Sequence, residues 1–424
     1  MVEANRNLTD HINQHIDHVL GIYIHIPFCV KKCNYCDFLS APSDENTKRK
    51  YVEALLNQIR SYQGKMNEYS IPSIFIGGGT PSSLDASDIN LIMKALRETF
   101  HMDDNLEATI EINPGTITKE KLLTYKEAGI NRLSFGLQSA DDRELKLLGR
   151  IHTFEQFLEN YHLARETGFS NINVDLMSAL PGQTIESWEN TLKQVASLEP
   201  EHISAYSLMI EEGTPFYSRF GEGMPEEGKL PEEDADRQMY HRTKELLKEQ
   251  GYHRYEISNY AKQGYECRHN SSYWTGIEYL GLGLGAASLL SCNHLKQDKS
   301  NGSYIRFHME ENLNRYIDLC GKYHNNPWND PDKEMMKSLY RDMEHLSEKQ
   351  RMEEFMYLGL RLCEGIKRED FLSRFHVSIE SVYGDVLLKL IKDDLIIAEG
   401  DCIRLSEYGI DVSNIVLSEF LIRD

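Results

Sequence analysis

The hydrophobic pattern alternates between strand and helix periods along the first half of the chain. Gly21–Pro27 is a short apolar run stopped by proline and reads as a buried strand. Thr47–Gln63 then repeats at helical spacing, with Tyr51, Ala54, Leu55 and Ile59 on one face. Pro72–Ile76 reads as a second strand and residues 87–100 as a helix. Ala108–Ile112, closed by Asn113-Pro114-Gly115, is a third strand, with a helix over 118–128 behind it. Asn131–Phe135 is a fourth, followed by helical stretches over 141–148 and 154–167. Asn171–Leu176 is a fifth, 184–197 a helix, and His202–Leu208 a sixth. Such β-α units predict a parallel sheet with helices outside, bent into an open (β/α)6 partial TIM-type barrel. In barrels of this kind the working site lies at the C-terminal ends of the strands.

Beyond the barrel the pattern changes. Glu211-Glu212-Gly213-Thr214-Pro215 opens a loop region, and the seven acids of 222–236 read as a solvated loop. Residues 236–250 are helical. Gly281-Leu282-Gly283-Leu284-Gly285 could mimic a dinucleotide fingerprint, but no βαβ unit surrounds it. Leu346–Cys363 is strongly amphipathic, Arg368–Phe375 and Ile379–Asp393 read as helices, and 395–405 as a hairpin across Glu399-Gly400-Asp401. That order predicts a mostly helical, winged-helix-like module. The expected organisation is an N-terminal extension (1–20), a barrel (21–215), a barrel-associated extension (216–305), a linker (306–345) carrying Pro327, Trp328 and Pro331, and the C-terminal domain (346–424).

Composition narrows the function classes. The 424 residues are 40% hydrophobic and 27% charged, as in ordinary globular proteins, and exceed one simple core. A net charge of −21 argues against non-specific nucleic-acid binding, and the winged-helix-like module has no basic stripe. Packing or partner docking suits that module better. No apolar run approaches a membrane span, and residues 1–20 lack a signal-peptide core. Their His11, His15 and His18 offer at most a helical i, i+4 pair for a metal. Eight cysteines make no disulfide framework, so a reducing cytoplasm is expected.

Three of those cysteines fall in one loop, Phe28-Cys29-Val30-Lys31-Lys32-Cys33-Asn34-Tyr35-Cys36-Asp37-Phe38. Three thiolates on a short loop can grip a soft metal centre. A [4Fe-4S] cube usually takes four cysteines, so three would leave one iron open. A structural zinc site and incidental thiols are the alternatives. Phe28, Tyr35 and Phe38 can wall a cluster from water. Other polar residues gather at the predicted strand ends. Gly77-Gly78-Gly79-Thr80-Pro81 allows close backbone approach to a ligand, or is simply a tight turn. Glu111 and Asp175 interrupt apolar strands, where a carboxylate must be paired; an ion pair of Asp175 with Arg150 would suffice.

The Cys29, Cys33, Cys36 spacing resembles the radical S-adenosylmethionine (SAM) superfamily. The resemblance implies that these cysteines hold a [4Fe-4S] cube whose fourth iron takes the amino and carboxylate groups of SAM. An electron from the cluster would split SAM into methionine and a 5'-deoxyadenosyl radical, and the donor would be a protein such as a flavodoxin or ferredoxin. Within the coproporphyrinogen-oxidase branch, Tyr23, Gly78, Gly79, Thr80, Glu111, Gln138, Arg150 and Asp175 match the SAM contacts, with Arg150 on the SAM carboxylate.

One further string bears on function. His269-Asn270-x-x-Tyr273-Trp274 reads either as a packed aromatic corner or as a haem site, with His269 on iron and Tyr273 and Trp274 against the macrocycle. Cys267 is a rival ligand. The string, with Tyr255-Glu256-Ile257-Ser258-Asn259 upstream, resembles the haem chaperone family HemW. The resemblance implies a cytoplasmic protein that binds haem and passes it to an acceptor haemoprotein, docking to a membrane-bound one included. The rival is oxygen-independent coproporphyrinogen III oxidase, which decarboxylates propionate side chains in porphyrin biosynthesis. Those oxidases carry a further cysteine two residues after the third and a longer N-terminal region. Here Cys36-Asp37-Phe38 stands instead. A zinc-stabilised DNA-binding regulator would need a basic face and finds none.

Overall fold

The computed structural model describes residues 19–291, 304–321 and 338–422. The expectations for His11, His15 and His18, and for Pro327, Trp328 and Pro331, lie outside them. Six strands, β1 (Val19–Ile26), β2 (Ser70–Gly78), β3 (His101–Ile112), β4 (Arg132–Gln138), β5 (Ile172–Ser178) and β6 (His202–Ser207), pair in parallel in chain order. Helices join them, with starts that follow local capping chemistry. Asp44 and Thr118 accept from the backbone N–H of Thr47 and Lys121, and Thr153 with Gln156 forms a reciprocal box.

The sheet continues past this unit on both sides. β6 pairs with β8 (Asn259–Ala261), itself flanked by β7 (His253–Arg254), and not with β1, so the barrel stays open. On the other edge β1 is joined in parallel by β9 (Glu278–Leu282), then antiparallel by β10 (Ala287–Ser291), β11 (Tyr304–Met309) and β12 (Tyr340–Leu346). Residues 306–345, expected as a linker, thus carry most of two sheet strands and the helix Leu313–Gly321. The alternation in β11 is legible afterwards, since Ile305, Phe307 and Met309 are buried between Tyr304, Arg306 and His308. The glycine run 281–285 lets strands cross closely: a Cβ on Gly281 would strike the Ala287 carbonyl, and Gly283 sits at φ +97°.

The parallel strands have two different faces. Ile22, Ile24, Ile74, Ile76, Ile110, Leu133, Phe135, Val174 and Ile203 point outward and pack under the helices in one apolar cluster. The alternate positions line the barrel interior and, Phe75 apart, are largely polar: Tyr23, Ser73, Glu107, Thr109, Glu111, Arg132, Ser134, Asn173, Asp175, His202 and Ser204. They bond to one another across strands: Asn173 donates to Ser134 at 2.7 Å, and its Oδ1 meets His202 Nδ1 at 2.6 Å. Residues 346–422 form a separate cluster built on Met356, Phe371, Ile379, Tyr383 and Phe420, with five helices and the 396–405 hairpin. This unit docks on the barrel through Arg361, 4.5 Å over the Trp274 ring, and Cys363, whose N–H donates to the Tyr255 carbonyl at 2.9 Å.

Candidate functional site

The cysteine loop crosses the C-terminal end of the barrel and is tied down at both ends and in the middle. Cys29 N–H donates to Ala41 O at 3.2 Å, and Ala41 N–H returns to Pro27 O at 3.0 Å. Asn34 is the central anchor. Its backbone N–H reaches Leu148 O at 2.9 Å, its side-chain amide reaches Leu147 O at 2.9 Å, and its carbonyl accepts from Phe216 N–H at 2.9 Å. Cys29, Cys33 and Cys36 are free thiols, partly exposed.

The strand ends bring donors to these sulfurs. Thr80, buried after β2, directs its hydroxyl at Cys29 Sγ at 3.6 Å and accepts from Asn113 Nδ2 at 2.7 Å. Arg150, after the helix Asp142–Leu148, places Nη1 3.5 Å from Cys33 Sγ, and its Nη2 donates to Asn113 Oδ1 at 2.6 Å and to the Gly136 carbonyl. Its Nε is buried without a hydrogen-bond partner. The turn Gly77-Gly78-Gly79 is more than a bend. A Cβ on Gly79 would lie 2.7 Å from Phe28 O and 3.0 Å from Cys29 Sγ, and one on Gly78, at φ +113°, would overlap the His25 ring. Only glycine lets this turn lie against the cysteine loop.

Beside the turn are two buried carboxyl groups. Glu111 accepts from Gly78 N–H at 3.0 Å, and burial, with Asp175 nearby, pushes its pKa up to about 8. Asp175 accepts from Ser134 at 3.1 Å and Asn173 at 2.8 Å, and burial raises its pKa as well. The structural alternative, an ion pair of Asp175 with Arg150, is not formed; each has other partners. Gln138 sits at φ +77° and brings its amide near Gly136 and Arg150. Tyr23 completes the wall, its hydroxyl 3.0 Å from His25 Nδ1, while His25 Nε2 meets Leu39 O at 2.9 Å. The residues read from sequence as cluster and SAM contacts thus converge on one end of the barrel. Asn113, Asn34 and His25 were not singled out. His25 was findable, two residues after Tyr23 and so on the same strand face; Asn113 and Asn34 read simply as turn and loop residues.

The second constellation is elsewhere. The helix Arg268–Trp274 plugs the opposite, N-terminal end of the barrel, against β2 and β9. Glu107 receives the N–H groups of Arg268 and His269 at 3.2 Å each and the Cys267 thiol at 3.6 Å. His269 is 1% exposed. Its Nδ1 bonds Ser73 Oγ at 3.0 Å and its Nε2 bonds Tyr273 OH at 3.0 Å, while its ring stacks on Phe75 at 5.3 Å. Burial holds its pKa down at about 3, so it is neutral, one nitrogen donating and the other accepting. No lone pair is free for iron. Trp274 is turned to Arg361, and Cys267 is fully buried with its pKa pushed up to about 12. The geometry of this string is that of the packed aromatic corner.

The upper site suits a thiolate-held cluster with a charged ligand beside it. It has hydrogen-bond donors aimed at two of the sulfurs, a turn that side chains would block, and an orphaned guanidinium N–H. When bound, such a cluster supplies one electron at low potential to a ligand on its open iron. Cys29, Cys33 and Cys36 would hold it.

The comparisons agree with the geometry. Residues 23–195 match the radical SAM superfamily and residues 346–412 the HemN C-terminal domain. The chain is 34% identical over 406 residues to a protein of Bacillus subtilis named heme chaperone HemW, covering 94% of this chain and 98% of that one. A protein of the same name from Haemophilus influenzae is also 34% identical, covering 95% and 98%. Among solved structures, coproporphyrinogen III oxidase (HemN) of Escherichia coli superposes with a TM-score of 0.78 at 23% identity, over 97% of this chain and 92% of that one, which is a likeness of fold. On these matches the chain belongs to the radical SAM superfamily and, within it, to the HemW family.

Proposed function

We propose that this chain is a haem chaperone, which binds haem and passes it to an acceptor haemoprotein, on a scaffold carrying a [4Fe-4S] cluster and SAM. The observation that carries the choice over the oxidase is Phe38. It occupies the position where the oxidases place a further cysteine, and its ring is 61% exposed beside the cluster loop. The near full-length likeness to proteins named heme chaperones supports the same reading.

In this reading Tyr23, Gly78, Gly79, Thr80, Glu111, Gln138, Arg150 and Asp175 form the SAM site. The buried carboxyls of Glu111 and Asp175 would balance the sulfonium and ammonium charges. Arg150 keeps its Nε–H for the carboxylate, because its other nitrogens are engaged with Cys33, Asn113 and Gly136. Haem ligation by His269, with Tyr273 and Trp274 as cover, would require breaking its buried bond to Ser73 or its bond to Tyr273, so a ligand outside this string fits better. The protein would work in the cytoplasm with an electron-carrier protein, and no described helix is long and apolar enough to cross a membrane. The test is an anaerobic assay of the cluster-loaded protein on coproporphyrinogen III with SAM and a reductant. Absence of decarboxylation from a sample that binds both SAM and haem supports the chaperone, and catalytic formation of protoporphyrinogen IX overturns it.

A further inference from the structure

The electron for the cluster must enter from outside, and the outer face of the cysteine loop differs in charge from the rest of the molecule. The chain carries −21 overall, yet residues 29–50 hold five basic and three acidic residues. Two of the basic ones, Lys31 and Lys32, lie between Cys29 and Cys33 and are exposed, with Asp37 the one acid on the loop itself. The loop returns to Ala41, paired with Phe28, and the helix that follows exposes Arg49 and Lys50 in its first two turns. Apolar side chains stand among these charges. Val30 is 60% exposed and Phe38 61%. Lys32 Nζ donates to the Phe38 carbonyl at 2.9 Å, so the two are held side by side, and Asn34 fixes the middle of the loop to Leu147, Leu148 and Phe216. Two exposed lysines beside exposed apolar groups, on a loop whose thiols are themselves partly exposed, are the make-up of a transient docking patch.

We infer that Val30, Lys31, Lys32 and Phe38 form the docking surface for an acidic one-electron carrier protein. The inference rests on the radical SAM membership and not on haem. One electron leaves the carrier, which is oxidised, and enters the cluster across the loop, whose three cysteines are partly exposed. Two acidic proteins repel over most of their surfaces, so a local basic patch selects the orientation that brings donor and cluster together. A basic carrier would instead be drawn to the acidic bowl of Glu211, Glu212, Glu222 and Glu227, which opens over Phe220 and Leu230.

The experiment compares wild type with Lys31→Glu and with Lys31→Glu/Lys32→Gln. The partner is a purified acidic flavodoxin. Its affinity is measured by calorimetry, and the rate of cluster reduction by its reduced form is set against reduction by photoreduced deazariboflavin, a small donor. At low salt the variants are expected to lose about tenfold or more in flavodoxin affinity and in flavodoxin-driven rate. The gap should close at about 0.5 M salt, where the screening length falls to a few Å. The rate with the small donor should stay within threefold of wild type. Unchanged affinity and flavodoxin-driven rate would overturn the inference, as would an equal slowing with both donors, which would mean damage to the cluster loop. Because calorimetry reads docking with or without a cluster, failure of the cluster to assemble would count against the radical SAM site and leave docking separately decided.

Discussion

Replacing His269 by alanine separates a structural role from a haem-binding one. The imidazole is buried, bridges Ser73 and Tyr273, and stacks on Phe75. Its removal leaves the buried Ser73 hydroxyl and the half-buried Tyr273 hydroxyl short of a partner, at up to about 1–3 kcal/mol each, and opens a ring-sized cavity between Phe75 and Gly21. Partial rotation of the hydroxyls offsets some of this, so the net loss is about 3–5 kcal/mol, a large share of a typical folding free energy. His269→Phe keeps the volume and the stack and should lose about 2 kcal/mol or more, from the hydroxyls alone. Urea unfolding followed by circular dichroism measures both. Haem titration under conditions where each variant is folded should give wild-type affinity per folded molecule and an unchanged Soret band. A variant as stable as wild type but with a changed Soret band would refute this reasoning and restore His269 as a ligand.

Changing Cys29, Cys33 and Cys36 together to alanine should abolish thiolate-to-iron absorbance after anaerobic reconstitution; four irons retained in the triple variant would contradict the assignment. Arg150→Ala should weaken SAM binding by about 1.5–3 kcal/mol if its Nε–H meets the carboxylate, and equal affinities by anaerobic calorimetry would dismiss that role. Glu111 gives a pH dependence. Its folded pKa, about 8, lies above its ordinary value, so the free protein holds a proton there at neutral pH and folding stability falls as pH rises toward 8. A cationic ligand prefers the carboxylate, so SAM affinity should rise up to about tenfold per pH unit below 8 and level off above it. Glu111→Gln should flatten that rise, and identical wild-type affinities at pH 6.5 and 7.5 would contradict it.

The first six strands were legible because their outward faces, such as Ile22-x-Ile24 and Leu133-x-Phe135, carry uninterrupted apolar period and end in turn residues. Their inward faces were not, because a polar lumen interrupts a strand in sequence as a surface would. Glu107, Arg132 and His202 carry no apolar signal, yet they are buried partners in the barrel. β9 to β12 were missed for another reason. Short strands between long stretches gain their stability from the edge of an existing sheet, and β9 is specified by its pairing with Leu20–Ile24 rather than by its own pattern. The cysteine loop and the glycine turn announced themselves by chemistry. The two-ended arrangement did not: nothing in the spacing of His269, Tyr273 and Trp274 says that they fold onto the floor of the barrel, away from Cys29, Cys33 and Cys36.

Haem binding by the intact, cluster-loaded chain is the most direct test of the proposed function. Stoichiometric haem titration under anoxia, followed at the Soret band with cluster absorbance recorded on the same sample, should show saturable binding of one haem per chain with the cluster retained. The bound haem should then move to an apo-haemoprotein faster than it dissociates into a passive apomyoglobin sink. No saturable haem binding by a protein that holds its cluster and binds SAM would contradict the chaperone reading at its centre.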